Sequence, residues 1–147
     1  MHGLPLFILT SMEILAFLIL WSTFSIKLRC KTILKLTAII IIIPLITVVI
    51  DNLKIEYSGV LNYLIAFIIL QLLFKKPFKQ SITYYIISIA ICLCVQIAIV
   101  FILRSIGFIS QDIHSFWNAF KINLAFIFAN LLIAYLLPVN RIQQYLR

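Results

Sequence analysis

Apolar residues run through this chain in five long blocks, with most of the charged residues confined to the short stretches between them. A helix needs roughly 20 mostly apolar residues to cross the hydrocarbon core of a bilayer. The first block, Leu4 to Ile26, meets that length and opens with Pro5, a residue suited to the first turn of a helix. It lacks the basic leader of a cleaved signal peptide, and Glu13 interrupts its apolar core, so it reads as a span. The second block runs from Leu36 to Leu53 with Pro44 inside it, where a proline kinks a membrane helix without ending it. The third runs from Ser58 to Phe74, the fourth from Ile82 to Leu103 behind Pro77, and the fifth from Phe120 to Leu137, stopped by Pro138.

The charges between the blocks alternate. Lys27, Arg29, Lys31 and Lys35 lie between the first two, and Lys75, Lys76 and Lys79 between the third and fourth, with no acid in either loop. Arg141 and Arg147 follow the fifth. The other two loops are mixed: Asp51, Lys54 and Glu56 in one, and Arg104, Asp112 and Lys121 in the other. Basic residues mark the cytoplasmic side of a membrane protein. The expected fold is therefore an all-α integral membrane protein, a bundle of about five spans with its N-terminus outside and its C-terminus cytoplasmic. Residues 1–138 form the transmembrane domain and residues 139–147 a cytoplasmic juxtamembrane tail. Trp117 is placed at the outer interface, and Tyr84, Tyr85 and Tyr145 at the inner one.

Composition agrees with the pattern. Hydrophobic residues make up 65% of the 147 positions and charged residues 11%, and the mean hydropathy is +1.20. A water-soluble domain of this size has too little interior to hide so much apolar surface. The net charge of +8 sits in interhelical loops, away from the solvated basic face that a nucleic-acid binder requires, so no nucleic-acid partner is expected. Lys27, Arg29, Lys31, Lys75, Lys76 and Lys79 instead set topology and touch anionic headgroups, and a bacterial cytoplasmic membrane suits the whole. The three cysteines give no disulfide framework. Cys92 and Cys94, two apart on a helix, point to different faces, and apolar packing is the reading of both.

Polar groups inside the blocks carry the functional signal. Glu13 lies roughly 14 Å below the start of the first span at about 1.5 Å per residue. An acid at that depth is protonated, paired or facing a wet cavity, and marks a functional site by default. Asn62, Gln96, Asn123 and Asn130 fall, like Glu13, in the outer half of their spans, and only Gln71 falls near the cytoplasmic end. Two readings fit that layer: hydrogen bonds that hold helices together, or a pocket open to the outside with Glu13 at its floor. The segment from Arg104 to Phe120 is the longest outside the membrane. Phe108, Ile109, Ile113, Phe116 and Trp117 suit a short amphipathic helix on the surface there, with His114 a candidate pH-sensitive contact. Asp112 and His114 have no further ligand at matching spacing, so no metal and no cofactor is expected.

No GxSxG, HExxH or P-loop occurs, and only one acid lies well inside a span, so no catalysis is expected of this chain. Three stretches carry a resemblance. They are Ser11-Met12-Glu13-Ile14-Leu15 in the first span, Phe74-Lys75-Lys76-Pro77-Phe78-Lys79 before the fourth, and Pro138-Val139-Asn140-Arg141-Ile142-Gln143-Gln144-Tyr145 after the fifth. In that order they resemble the N-terminal sensor region of Agr-type quorum-sensing receptor histidine kinases, whose kinase half is of the GHKL class. The resemblance implies a membrane domain that detects an extracellular ligand such as a signalling peptide. It also implies a cytoplasmic kinase or response regulator as partner, a homodimer, and a kinase half following in a longer parent chain. Up to Arg147 the sequence has no phospho-accepting histidine or ATP-binding motif. In the implied mechanism, ligand shifts the population of two helix arrangements and the fifth span passes the shift to residues 140–147. Two other roles compete: a small transport component, such as a substrate-binding subunit or permease fragment, and a bacteriocin-immunity-like accessory protein. A transporter normally uses small-residue contacts between helices, and only Gly59 lies at the edge of a span.

Overall fold

The computed structural model describes residues 3–25, 30–53, 58–75, 77–109 and 115–136. Five helices account for almost all of them: α1 (Leu4–Ser25), α2 (Cys30–Asn52), α3 (Ser58–Phe74), α4 (Phe78–Ser105) and α5 (Phe116–Leu136). No strand occurs among the described residues. Helices are the expected form of such apolar sequence, because in hydrocarbon every backbone donor and acceptor needs a partner within its own segment. Serine and threonine follow the same rule. Ser11, Thr23, Thr37, Thr47, Thr83, Ser88 and Ser105 each donate their hydroxyl to the carbonyl four residues back.

Four helices, α1, α2, α4 and α5, are long and apolar enough to cross a membrane. The chain is therefore multi-pass in character. The fifth apolar helix, α3, has 17 residues, a rise of about 25 Å, which is shorter than the usual core of about 30 Å. The outward faces carry large apolar side chains, with Phe101 72% exposed, Ile97 70% and Tyr135 86%. Helices that are apolar on every side belong in lipid.

Several boundaries differ from those read in the sequence. Helix α2 already includes Cys30 to Lys35, and α4 reaches from Phe78 to Ser105, so Lys35, Lys79 and Arg104 are helical. A charged residue at the mouth of a span leaves the helix intact, because its long side chain extends to the interface. Pro44 is fully buried and α2 continues through it. Helix α4 ends where the Phe108 N–H bonds the Leu103 carbonyl and the Gly107 N–H bonds that of Arg104. Gly107, at φ +69, supplies the left-handed residue this ending requires. Helix α5 begins earlier than expected because the Ser115 hydroxyl accepts the Asn118 N–H at 3.3 Å, an N-cap. Phe116 and Trp117 accordingly lie in α5, and Phe108 and Ile109 in the turn after α4. The remainder of the expected surface helix, with Asp112, Ile113 and His114, lies outside the described residues.

Helix α1 is the centre of the bundle, packed against α2, α4 and α5, while α2 and α3, and α4 and α5, pair around it. Its Ala16, Phe17, Leu18, Leu20 and Trp21 are all buried. Hydrogen bonds fix the directions. Asn123 and Asn130 of α5 donate to the Leu9 and Ala16 carbonyls of α1, so these helices run in parallel. Lys35, early in α2, donates to the Leu73 carbonyl at the end of α3 at 2.6 Å, so those two are antiparallel. The end at which α1, α3 and α5 begin is called the upper end below, and the opposite end the lower.

Candidate functional site

A cavity of about 280 Å³ opens within the upper half of the bundle. Each helix contributes one face to it. Helix α1 gives Leu6, Thr10, Glu13, Ile14 and Phe17, spaced three or four apart so that they share a side. Helix α4 gives Tyr85, Ile89, Cys92, Leu93 and Gln96 by the same periodicity. Ile43 and Thr47 come from α2, Asn62, Tyr63 and Ala66 from α3, and Phe126 from α5. From Leu6 to Phe17 the lining descends 11 residues along α1, about 16 Å.

Glu13 faces this space: the side chain is exposed, and the cavity wall is where it sits. The Asn123 amide is the polar neighbour of its carboxyl group. The same amide donates to the Leu9 carbonyl at 3.2 Å. Asn62 also lines the cavity, with a buried Oδ1 that has no hydrogen-bond partner. Gln96 is half-buried on the opposite wall. The Thr47 hydroxyl is directed to the Ile43 carbonyl at 3.0 Å and away from the space. Among the described residues no lysine, arginine or histidine lines the cavity.

The polar layer expected from sequence thus divides. Glu13, Asn62 and Gln96 come together at the cavity, whereas Asn123 and Asn130 lie buried in the seam between α1 and α5. Asn130 donates to the Ala16 carbonyl at 3.3 Å and lies 3.9 Å from the Cys92 sulfur. Its Oδ1 has no partner. Asn123 and Asn130 are seven residues apart, and so are the carbonyls they reach, Leu9 and Ala16. Seven residues are close to two helical turns, so both amides fall on one stripe. The helix-joining role fits Asn123 and Asn130, and Glu13 lies on the wall of a cavity whose lower end is formed by Phe17 and Tyr85.

An aromatic layer closes the cavity below. The Phe17 and Tyr85 rings meet edge to face with centroids 5.2 Å apart, and Phe67 meets Tyr85 at 5.1 Å. The Tyr85 hydroxyl donates to the Tyr63 carbonyl, linking α4 to α3. Tyr84 and Tyr85 are buried in the bundle, which corrects their assignment to the inner interface. A pair of tyrosines beside a basic loop has the same sequence pattern in either place; the difference comes from the ring partners on α1 and α3. Tyr63 carries no signal in the sequence, while Cys92 is packed in the core as expected and also reaches the cavity wall. Cys92 is buried and Cys94 exposed, so the two do face apart.

At the lower end Lys75 and Lys79 are exposed, Lys75 with φ +47 where α3 stops. Lys31 is part of α2, but its side chain, like all of Lys27, Arg29 and Lys76, lies outside the described residues, as does His114. Among the described residues no group of three or more potential metal ligands occurs. What the arrangement offers chemically is a small apolar chamber with one acid and a few amide and hydroxyl groups that donate or accept hydrogen bonds. Comparison with protein-family models, with curated proteins and with solved structures returned no match.

Proposed function

We propose that this chain is a membrane sensor domain that receives an extracellular ligand in the cavity and passes the event to a cytoplasmic partner. The observation that carries the proposal is the position of Glu13. It lies on the cavity wall next to the Asn123 amide of α5, the helix that leads to residues 137–147. A ligand that engages Glu13 competes with Asn123, and so changes the relative stability of two arrangements of α5. Only such differential affinity lets a ligand move a conformational equilibrium.

The alternating loop charges support an upper end outside the cell and a lower end in the cytoplasm, with α3 as a short fifth span. On this reading the cavity opens toward the outside and the tail meets a kinase or response regulator, in a homodimer as in Agr-type receptors. Reception is favoured over transport because the Phe17, Tyr85 and Phe67 rings close the path below the cavity. An immunity-like role would leave the cavity without a use. With one acid and no base among the lining residues, binding suits the site better than catalysis.

Filling the chamber tests the proposal. Ala66 is buried on its wall, so Ala66→Phe occupies the space a ligand would take. Small molecules that copurify with the native protein are compared by mass spectrometry with those of the variant. At least one compound is expected to be lost with Ala66→Phe. That compound should raise phosphorylation when residues 1–147 are fused to a histidine-kinase core. Identical ligand content in both proteins overturns the reading.

A further inference from the structure

Resting on that reading, we infer that the cavity receives an organic cation, an ammonium or guanidinium group carried on a short apolar stem. The side chains that give the chamber its sign all point the same way. Glu13 presents a carboxyl group, the Asn62 Oδ1 is buried at the wall without a partner, and among the described residues no basic side chain lies on the wall to neutralise either.

An incoming carboxylate would meet Glu13 with nothing to compensate it. A neutral alcohol would donate one hydrogen bond and leave the acid otherwise as it was. An ammonium group has three donors and a charge, so it pairs with Glu13 and keeps donors for a further acceptor on the wall. Pairing matters here because a charge in apolar surroundings is tolerated only with a partner, and that applies equally to the ligand and to the acid. The rest of the lining suits the remainder of the ligand. Leu6, Ile14 and Ile89 are apolar, and the Phe17, Tyr85 and Phe126 rings add further apolar surface. At about 280 Å³ the space lies at the small end of ligand cavities, which favours a stem of roughly six carbons.

The group has two natural sources, a free alkylamine and the basic side chain of a short peptide. Cys92, on the wall, serves as the reporter in a protein with Cys30→Ala and Cys94→Ala, reconstituted in lipid nanodiscs. The rate at which N-ethylmaleimide alkylates Cys92 is followed against hexylammonium, hexanol, hexanoate and the peptide acetyl-Gly-Lys-Gly-amide. Hexylammonium is expected to protect Cys92 at a concentration at least tenfold below hexanol or hexanoate. Glu13→Gln is expected to erase that preference, and Asn62→Leu to raise the required hexylammonium concentration several-fold. Protection by the amine alone assigns a free small cation, and protection by the peptide as well assigns a basic side chain. Equal protection by hexanol or hexanoate overturns the cation inference while leaving a ligand cavity in place. No protection by any compound overturns both. Should Glu13→Gln fail to fold, an unchanged hexylammonium response in Asn62→Leu is sufficient to reject the inference.

Discussion

Asn123 and Asn130 make the same kind of bond to α1, yet their replacement is expected to have different consequences. Interhelical hydrogen bonds in membranes contribute about 1 kcal/mol or less on average. Asn130→Leu removes such a bond but also removes a buried oxygen that has no partner. Its loss is therefore expected to lie within about 1 kcal/mol. Asn123→Leu takes away the Leu9 bond and the amide that holds Glu13. It should cost more, about 1–2 kcal/mol, since a polar group in an apolar site is left without its partner. Unfolding in mixed detergent micelles measures both, and equal losses would contradict the pairing. A double-mutant cycle of Asn123→Leu with Glu13→Gln should show coupling of about 0.5 kcal/mol or more, whereas strict additivity would mean that the two side chains do not interact. Much of this site was legible in advance. Glu13, Asn62 and Gln96 stand out because a polar side chain in an apolar span is rare enough to be noticed. Tyr63, Tyr85 and Cys92 do not stand out, being ordinary in such a span, and only the partner helix reveals what they face. Depth counting placed Asn123 and Asn130 beside the cavity residues but gave no rotation about the helix axis, and rotation is what separates the seam from the chamber.

At the scale of elements, hydropathy located the helices because lipid leaves the backbone so few alternatives. It was less able to end them. The charges of Lys35, Lys79 and Arg104 read as loop, although each lies within a helix. The true ends are set by local chemistry: the Ser115 cap, and the glycine turn after Ser105. That turn makes a prediction. A side chain added at Gly107 meets no atom within 4 Å, so Gly107→Ala has no steric conflict with its surroundings. Its cost is the left-handed backbone alone, about 1–2 kcal/mol, read as a lower unfolding midpoint. A variant of unchanged stability would show that the turn is not needed. Nearby, the Lys121 ammonium donates to the Phe108 carbonyl at 3.2 Å and sits 4.7 Å from the centre of its ring. Lys121→Met keeps the stem and loses both contacts, and should increase hydrogen exchange in residues 106–109 while leaving the Leu103 amide protected.

For the molecule as a whole, orientation is the quantity most open to direct measurement. In a protein whose own cysteines are replaced by alanine, a cysteine at Gly107 is expected to react with a membrane-impermeant thiol reagent added to intact cells. A cysteine at Lys79 is expected to react only after the membrane is opened. The reverse result would place the cavity on the cytoplasmic side and remove extracellular reception. The expectation comes from the loop charges, which alternate at every crossing. The packing order was not readable. That α1 is central follows from which faces meet, and helices apolar all round carry no stripe to announce it.

The seven-residue register between α1 and α5 also has a mechanical consequence. Two amides engage two carbonyls at one spacing, so sliding α5 by a single turn breaks both bonds together and restores neither. Only a displacement of about 10 Å would bring one amide level with the other's carbonyl. The pair therefore resists piston strokes of an ångström or two, and the two arrangements of α5 proposed above are expected to differ by rotation or tilt about these bonds. The opposite wall of the chamber is looser. There the short α3 touches α4 more sparsely than any other neighbouring helices touch. A tilt of α3 is therefore expected to meet less resistance than a slide of α5, with the bond from the Tyr85 hydroxyl to the Tyr63 carbonyl as the contact that opposes it.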